Sequence, residues 1–160
     1  MIIWMTGLSG SGKTTYANYL KEYWNYIILD GDTLRSGLSK DLGFTYADRE
    51  EHGRRIIEVV KILASQDFDV CVSTITGDNT GRKWVREELK GFPFKLVWVK
   101  ASIETCAARD PKGIYAANPE NLVGVSAKWE DPDQYDYVID TERFSESECM
   151  QYFFSYLDSR

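Results

Sequence analysis

Four apolar residues, Ile2-Ile3-Trp4-Met5, run into Gly7-Leu8-Ser9-Gly10-Ser11-Gly12-Lys13-Thr14, and a helical stretch follows to Trp24. A buried strand, a glycine-rich turn and a helix in that order leave few folds open. The spacing G-x-x-x-x-G-K-T in that context predicts a phosphate-binding P-loop. Its glycines let successive backbone N–H groups turn inward on phosphate oxygens, and the helix N-terminus adds its positive dipole end. We therefore assign Gly7, Ser9, Gly10, Ser11, Gly12, Lys13, Thr14 and Thr15 to phosphate binding. Lys13 would reach the β- and γ-phosphates, and the Thr14 hydroxyl would ligate Mg²⁺. The expected ligand is a nucleoside triphosphate.

The length of 160 residues predicts one domain, 1–160, with a real core. A formal charge of −6 excludes a protein that coats nucleic acid, because no Lys/Arg-rich face is available to neutralise phosphates. No apolar run approaches a membrane span, and Met1 leads directly into the first strand. The expectation is a cytoplasmic protein without nucleic-acid or membrane partners. Cys71, Cys106 and Cys149 are odd in number and form no CxxC pair, which suits reduced thiols packed as small hydrophobes.

Strand and helix patterns alternate along the chain. Strands are expected at Ile2–Met5, Tyr26–Leu29, Val70–Thr74, Lys95–Lys100 and Tyr137–Ile139. Helices are expected at Lys13–Trp24, Asp48–Ser65, Gly81–Lys90, Ile103–Arg109 and Ser145–Leu157. The predicted fold class is α/β, a three-layer P-loop NTPase fold with a five-stranded parallel sheet and helices on both faces. Residues 30–47 and 110–135 hold Gly, Pro and aromatics without periodicity, and read as functional loops at the C-terminal edge of the sheet.

Asp30-Gly31-Asp32 closes the second strand, expected beside the P-loop strand. Phosphoryl transfer to a hydroxyl needs one carboxylate facing the nucleophile and a further acidic contact near the metal. A solvated turn is the plainer use of such a triplet, but Arg35 and Arg49 follow it, and guanidinium forks clamp anionic acceptors.

With Gly7–Thr14, the segments Leu29-Asp30-Gly31-Asp32-Thr33-Leu34-Arg35, Asp41-Leu42-Gly43-Phe44, Asp48-Arg49-Glu50-Glu51 and Arg109-Asp110-Pro111-Lys112-Gly113-Ile114-Tyr115 stand in the order of the adenylylsulfate kinases, which this chain resembles to Thr141. The resemblance implies a P-loop kinase that uses ATP and Mg²⁺. Its acceptor would be adenylylsulfate, a small anionic nucleotide phosphorylated on the ribose 3′-hydroxyl, and a homodimer would be possible. It implies three catalytic residues, Asp32 facing that hydroxyl with Lys13 and Arg109, and acceptor contacts from Arg35, Phe44, Arg49, His52, Thr76, Lys112 and Leu122. Arg109 and Lys112 belong to a lid over ATP within residues 110–135 and its preceding helix, and Asp30 would approach the metal through water. Arg82 and Arg86 keep positions that are basic in the family, with a solvated helix face as their plainer use.

The resemblance loosens on the acceptor side. The family usually has asparagine where this chain has His52, an Ile-Ser-Pro-Tyr turn where it has Ile75-Thr76-Gly77-Asp78, and a longer lid between Tyr115 and Asn121. A base-stacking phenylalanine is replaced within Asn121-Leu122-Val123-Gly124, and losing one aromatic face weakens base selection by about 1–3 kcal/mol. Trp129 either substitutes for it or anchors the loop; His52 either binds the acceptor or caps local backbone. Relatives of this family act on other nucleotides, such as cytidine diphosphoramidate, and that subgroup is the alternative acceptor class. A non-catalytic nucleotide-binding module and a small-metabolite kinase are the remaining alternatives.

Overall fold

The first apolar run is buried throughout and sends alternate side chains into two cores. The computed structural model describes residues 1–159. Five strands, β1 (Ile2–Thr6), β2 (Ile27–Asp30), β3 (Val70–Ser73), β4 (Phe94–Lys100) and β5 (Tyr137–Asp140), form one parallel sheet in the order β2-β3-β1-β4-β5. β1 pairs with β3 in the register Ile3↔Cys71 and with β4 in the register Ile3↔Lys95.

On one face Ile3 and Met5 meet Tyr16, Ala17 and Leu20 of α1 (Lys13–Trp24) and Phe153 and Leu157 of α7 (Glu146–Asp158). On the other, Ile2 and Trp4 meet Ile56, Ile57 and Val60 of α3 (Tyr46–Ala64) and Val85 of α4 (Asn79–Glu88). Each such side chain contributes about 1.5–3 kcal/mol by leaving water. Cys71, Cys106 and Cys149 are all buried as free thiols.

The second strand does not lie beside the P-loop strand as expected, because β3 separates them. The reason is burial: all four β3 residues are buried, whereas β2 is half-exposed and takes the edge. Two inter-strand steps place the ends of β1 and β2 about 10 Å apart, which opens a gap between the P-loop and Asp30.

Residues 30–47 are not all loop. Asp30 caps a short helix, α2 (Gly31–Ser36), by accepting from Thr33 N at 3.1 Å. α3 starts at Tyr46, two residues before the expected Asp48, because Thr45 and Asp48 form a reciprocal capping box. α4 likewise starts at Asn79, with Asp78 accepting from Gly81 N at 2.7 Å. Residues 110–135 hold one further turn of helix, α6 (Ile114–Ala117), after α5 (Ile103–Arg109). No helix among the described residues is long and apolar enough to cross a membrane.

Candidate active site

The turn after β1 is built by close approach. A Cβ on Gly7 would stand 2.4 Å from the Val99 carbonyl oxygen, so β4 admits only glycine there. Gly10 and Gly12 follow in left-handed conformations with φ of 80° and 107°. Gly12 caps α1 without a side-chain bond, and no acidic residue stands in the first helical turn. The first N–H groups of α1 are therefore left for an anion. The Ser11 hydroxyl, buried in the same cradle, has no hydrogen-bond partner among the described residues.

Lys13 folds back over this loop, with Nζ donating to the Gly7 and Leu8 carbonyls at 2.8 Å each. Burial, then the nearby positive Lys112, lowers its pKa to about 8. A bound phosphate would oppose both effects.

The P-loop opens into a cleft of about 1620 Å³ at the C-terminal ends of β1, β2 and β3. Ser9 through Thr15 line its donor side, with Arg109 and Lys112. Asp30, Asp32, Arg35, Phe44 and Arg49 line the other side, with His52, Thr76 and Leu122. Gly7 is the one assigned residue that stands behind the cleft rather than on its wall, supporting Lys13 through its carbonyl.

The lid is tied to the P-loop at two points. Arg109 donates to Thr141 Oγ1 at 2.9 Å and to the Thr141 carbonyl at 2.8 Å, beside Gly10. Tyr115 donates its hydroxyl to the Ser9 carbonyl at 2.9 Å. Asp110, with φ of 23°, turns the chain and accepts from Tyr115 N and Ala116 N at 3.1 and 2.9 Å. Lys112 then reaches across the gap to an ion pair with Asp32.

On the acceptor side Arg35 lies 4.6 Å from the centroid of the Phe44 ring and donates to the Gly43 carbonyl at 2.7 Å. Arg49 donates to the Phe44 carbonyl at 2.9 Å and to the Asn121 carbonyl. Desolvation is the largest influence on both guanidiniums and lowers their pKa; the mutual proximity of the two also acts on Arg49. Arg55 fixes the 37–43 loop by donating to Asp41 at 2.6 and 2.8 Å, which holds that carboxyl at about 2.

His52 meets both a buried side chain and the Gly31 backbone. It is 4% exposed, and its Nδ1 pairs with the buried Ser39 hydroxyl at 2.9 Å. The Gly31 backbone interacts with the ring, and Nε2 has no hydrogen bond of normal geometry among the described residues. Burial, then the positive Arg35, lowers its pKa to about 4, so the ring is neutral at physiological pH.

Thr76 is the strained residue of the site. It is β-branched and has φ of 43°, a conformation that costs about 1–3 kcal/mol unless its surroundings enforce it. Trp4 Nε1 donates to its hydroxyl at 2.9 Å, and Thr6 and Arg82 donate to its carbonyl at 3.2 and 2.7 Å.

The solvated helix face expected for Arg82 and Arg86 is wrong for Arg82, whereas Arg86 stays part-exposed while pairing with a neighbouring segment. Arg82 is buried against the Trp129 ring, and Arg86 donates to Asp136 at 2.8 Å. Amphipathic spacing misled here, because the 127–136 segment covers the face of α4 that looks polar. Trp129 accordingly anchors its loop, with Nε1 donating to Asp131 at 2.8 Å. Sequence reasoning gave no role to Ser39, Asp110, Tyr115 or Thr141. Of these, only Asp110 and Tyr115 stand inside a motif that drew attention.

Comparisons with known proteins point to one family. The family model described as adenylylsulphate kinase matches residues 1–140. The adenylyl-sulfate kinase of Bacillus licheniformis is 39% identical over 165 residues, covering 98% of this chain and 84% of that protein. That of Paraburkholderia xenovorans is 42% identical over 156 residues, covering 92% and 87%. The Mycobacterium tuberculosis APS kinase, solved in complex with AMPPNP and APS, superposes with a TM-score of 0.89 at 31% identity, covering 98% of this chain and 96% of that one.

Proposed function

Because the chain belongs to the adenylylsulfate kinase family, we propose that it transfers the γ-phosphate of ATP to the ribose 3′-hydroxyl of adenylylsulfate. The observation that carries this reading is the cleft itself, where the P-loop cradle faces Asp32 across one gap bridged by Lys112. Residues 1–160 act as one catalytic domain, with 110–135 as its lid.

In this reading the acceptor oxygen forms the new bond to phosphorus while the bond to the β-phosphate oxygen breaks, releasing ADP. Asp32 orients the hydroxyl and takes its proton, which passes to solvent. Lys13 and Arg109 oppose the charge that develops on the transferred group. Arg35 and Arg49 hold the acceptor's anionic groups, Phe44 stacks on its base, and His52, Thr76 and Leu122 shape the pocket around it. Lys112 shifts from Asp32 toward the phosphates when both substrates are present. An ion pair this exposed contributes only about 0–1 kcal/mol, so the shift costs little.

Thr14 and, through water, Asp30 suit Mg²⁺. Thr14 is exposed in the first turn of α1 and Asp30 lines the same cleft, so both could meet an ion carried in by the nucleotide. Held there, the ion would neutralise part of the charge on the transferred phosphate. A cytoplasmic location is our reading, and reduced, buried thiols and ATP use are in keeping with it. A homodimer rests on the family resemblance and is read by light scattering.

A second acceptor class is favoured by one arrangement. Leu122 lines the pocket where the family usually has a second aromatic, and Trp129 is committed to Arg82, which leaves Phe44 as the assigned stacking residue. A pyrimidine such as that of cytidine diphosphoramidate tolerates one face better than a purine does. Coupled ADP release with ATP-Mg²⁺ tests both, using adenylylsulfate, cytidine diphosphoramidate and plain nucleoside phosphates. Preference for adenylylsulfate is expected; preference for the cytidine acceptor replaces it, and no turnover with intact ATP binding removes the kinase reading.

A further inference from the structure

We propose that Arg82, which lines neither side of the cleft, is a positioning residue that fixes the acceptor pocket by clamping Thr76 and the 127–133 segment onto each other. It is 2% exposed, and its hydrogen bonds go to neutral oxygens. Nη1 donates to the Thr76 carbonyl at 2.7 Å, Nε and Nη2 donate to Asn79 Oδ1 at 3.2 and 2.9 Å, and Nη2 also donates to the Glu130 carbonyl. The Trp129 ring lies 5.3 Å from its guanidinium carbon. A buried cation that makes no direct ion pair is costly, and it persists where its geometry is needed.

Asn79 extends the clamp. Its side chain donates to the Asp131 carbonyl at 3.1 Å and accepts from Asp133 N at 3.1 Å, while its backbone N donates to Glu130 at 2.8 Å. Glu130 N donates in turn to the Gly77 carbonyl at 2.9 Å. Two walls of the cleft, which also touch through Ile75 and Val123, are thereby joined by a polar network. One carries Thr76 in its left-handed conformation, and the other continues from Leu122 and Asn121, whose carbonyl holds Arg49. The planar fork is what permits this, since five N–H donors in fixed directions can serve two chain segments at once. Lysine has the charge without the fork.

None of these contacts touches the P-loop, so loss of Arg82 should separate the two substrates. The activity readout rests on the kinase reading, with adenylylsulfate as the probe. Arg82→Gln is expected to raise the adenylylsulfate KM at least tenfold and to leave the dissociation constant of a fluorescent ATP analogue within twofold. Arg82→Lys should not restore the KM. Asn79→Ala, which keeps the buried cation but removes the shared acceptor, should move the KM in the same direction and serves if Arg82→Gln does not fold. An unchanged KM in folded Arg82→Gln, or equal weakening of ATP, overturns the proposal. If wild-type protein turns over no adenylylsulfate, the kinase reading fails separately, and amide exchange still decides. Faster exchange at residues 74–78 and 121–131 in Arg82→Gln, with the P-loop unchanged, supports the clamp; unchanged exchange there refutes it.

Discussion

Replacing His52 with asparagine should flatten the stability of this protein between pH 7 and pH 5. The chain has one histidine, and it is buried with a pKa lowered from 6.5 to about 4. The unfolded chain takes up that proton near pH 6.5 and the folded protein only near pH 4. The unfolded state therefore binds more protons in between, and stability falls as pH falls through that window. Above pH 6.5 both states are neutral and nothing is lost. At pH 5 the difference in proton binding amounts to about 2 kcal/mol, approaching about 3 kcal/mol below pH 4. The charged groups facing the ring are Arg35, Arg55 and Asp32, with burial the larger effect. Asp41 and Glu51, both held at about 2 by arginine, lose their stabilising charge only as the pH drops below about 5. Urea denaturation of wild type and His52→Asn at pH 7 and pH 5 measures the difference. Asparagine retains a group able to pair with Ser39 and has no proton to take up. Wild type should lose about 2 kcal/mol over this range and the variant less than about 0.5. Equal losses would place the proton uptake elsewhere. The single histidine resonance offers a direct check by NMR, where a midpoint near 6.5 would refute the burial argument.

Three further outcomes follow from the site. Asp32→Asn should keep ATP binding and lower transfer about 10²- to 10⁴-fold; an unchanged rate would remove Asp32 from the chemistry. Lys112→Ala should cut kcat at least tenfold while the melting temperature stays put, because its exposed pair with Asp32 stabilises so little; a large drop in melting temperature would make Lys112 structural instead. Gly124→Ala should destabilise by about 1–3 kcal/mol. Gly124 has φ of 90°, and its new methyl would stand 2.9 Å from Leu8 Cδ2, so an unchanged thermal melt would contradict the packing described.

Much of this was legible in the chain. The apolar run, the glycine spacing and Lys13-Thr14 determine the β1 strand, the P-loop and α1 because each depends on neighbours within a few residues. The capped helix at Ser145 and the buried cysteines followed from equally local rules. Asp32, Arg35, Arg49 and Lys112 could be nominated from chemistry and motif order, and the fold brings them into one cleft.

What the chain alone could not supply is which segments lie against one another. Strand order depended on β3 being buried on both faces, which no local pattern of β2 announces. Arg82 looked solvated because helical periodicity describes one element, whereas its surroundings come from a segment about fifty residues away. The left-handed backbone of Thr76 is likewise a tertiary outcome. Trp4, Thr6 and Arg82 together hold a conformation that threonine does not choose by itself. Local sequence determines what each element is and which chemistry it can carry; long-range packing alone decides which polar groups lose their water, and hence their ionisation and roles.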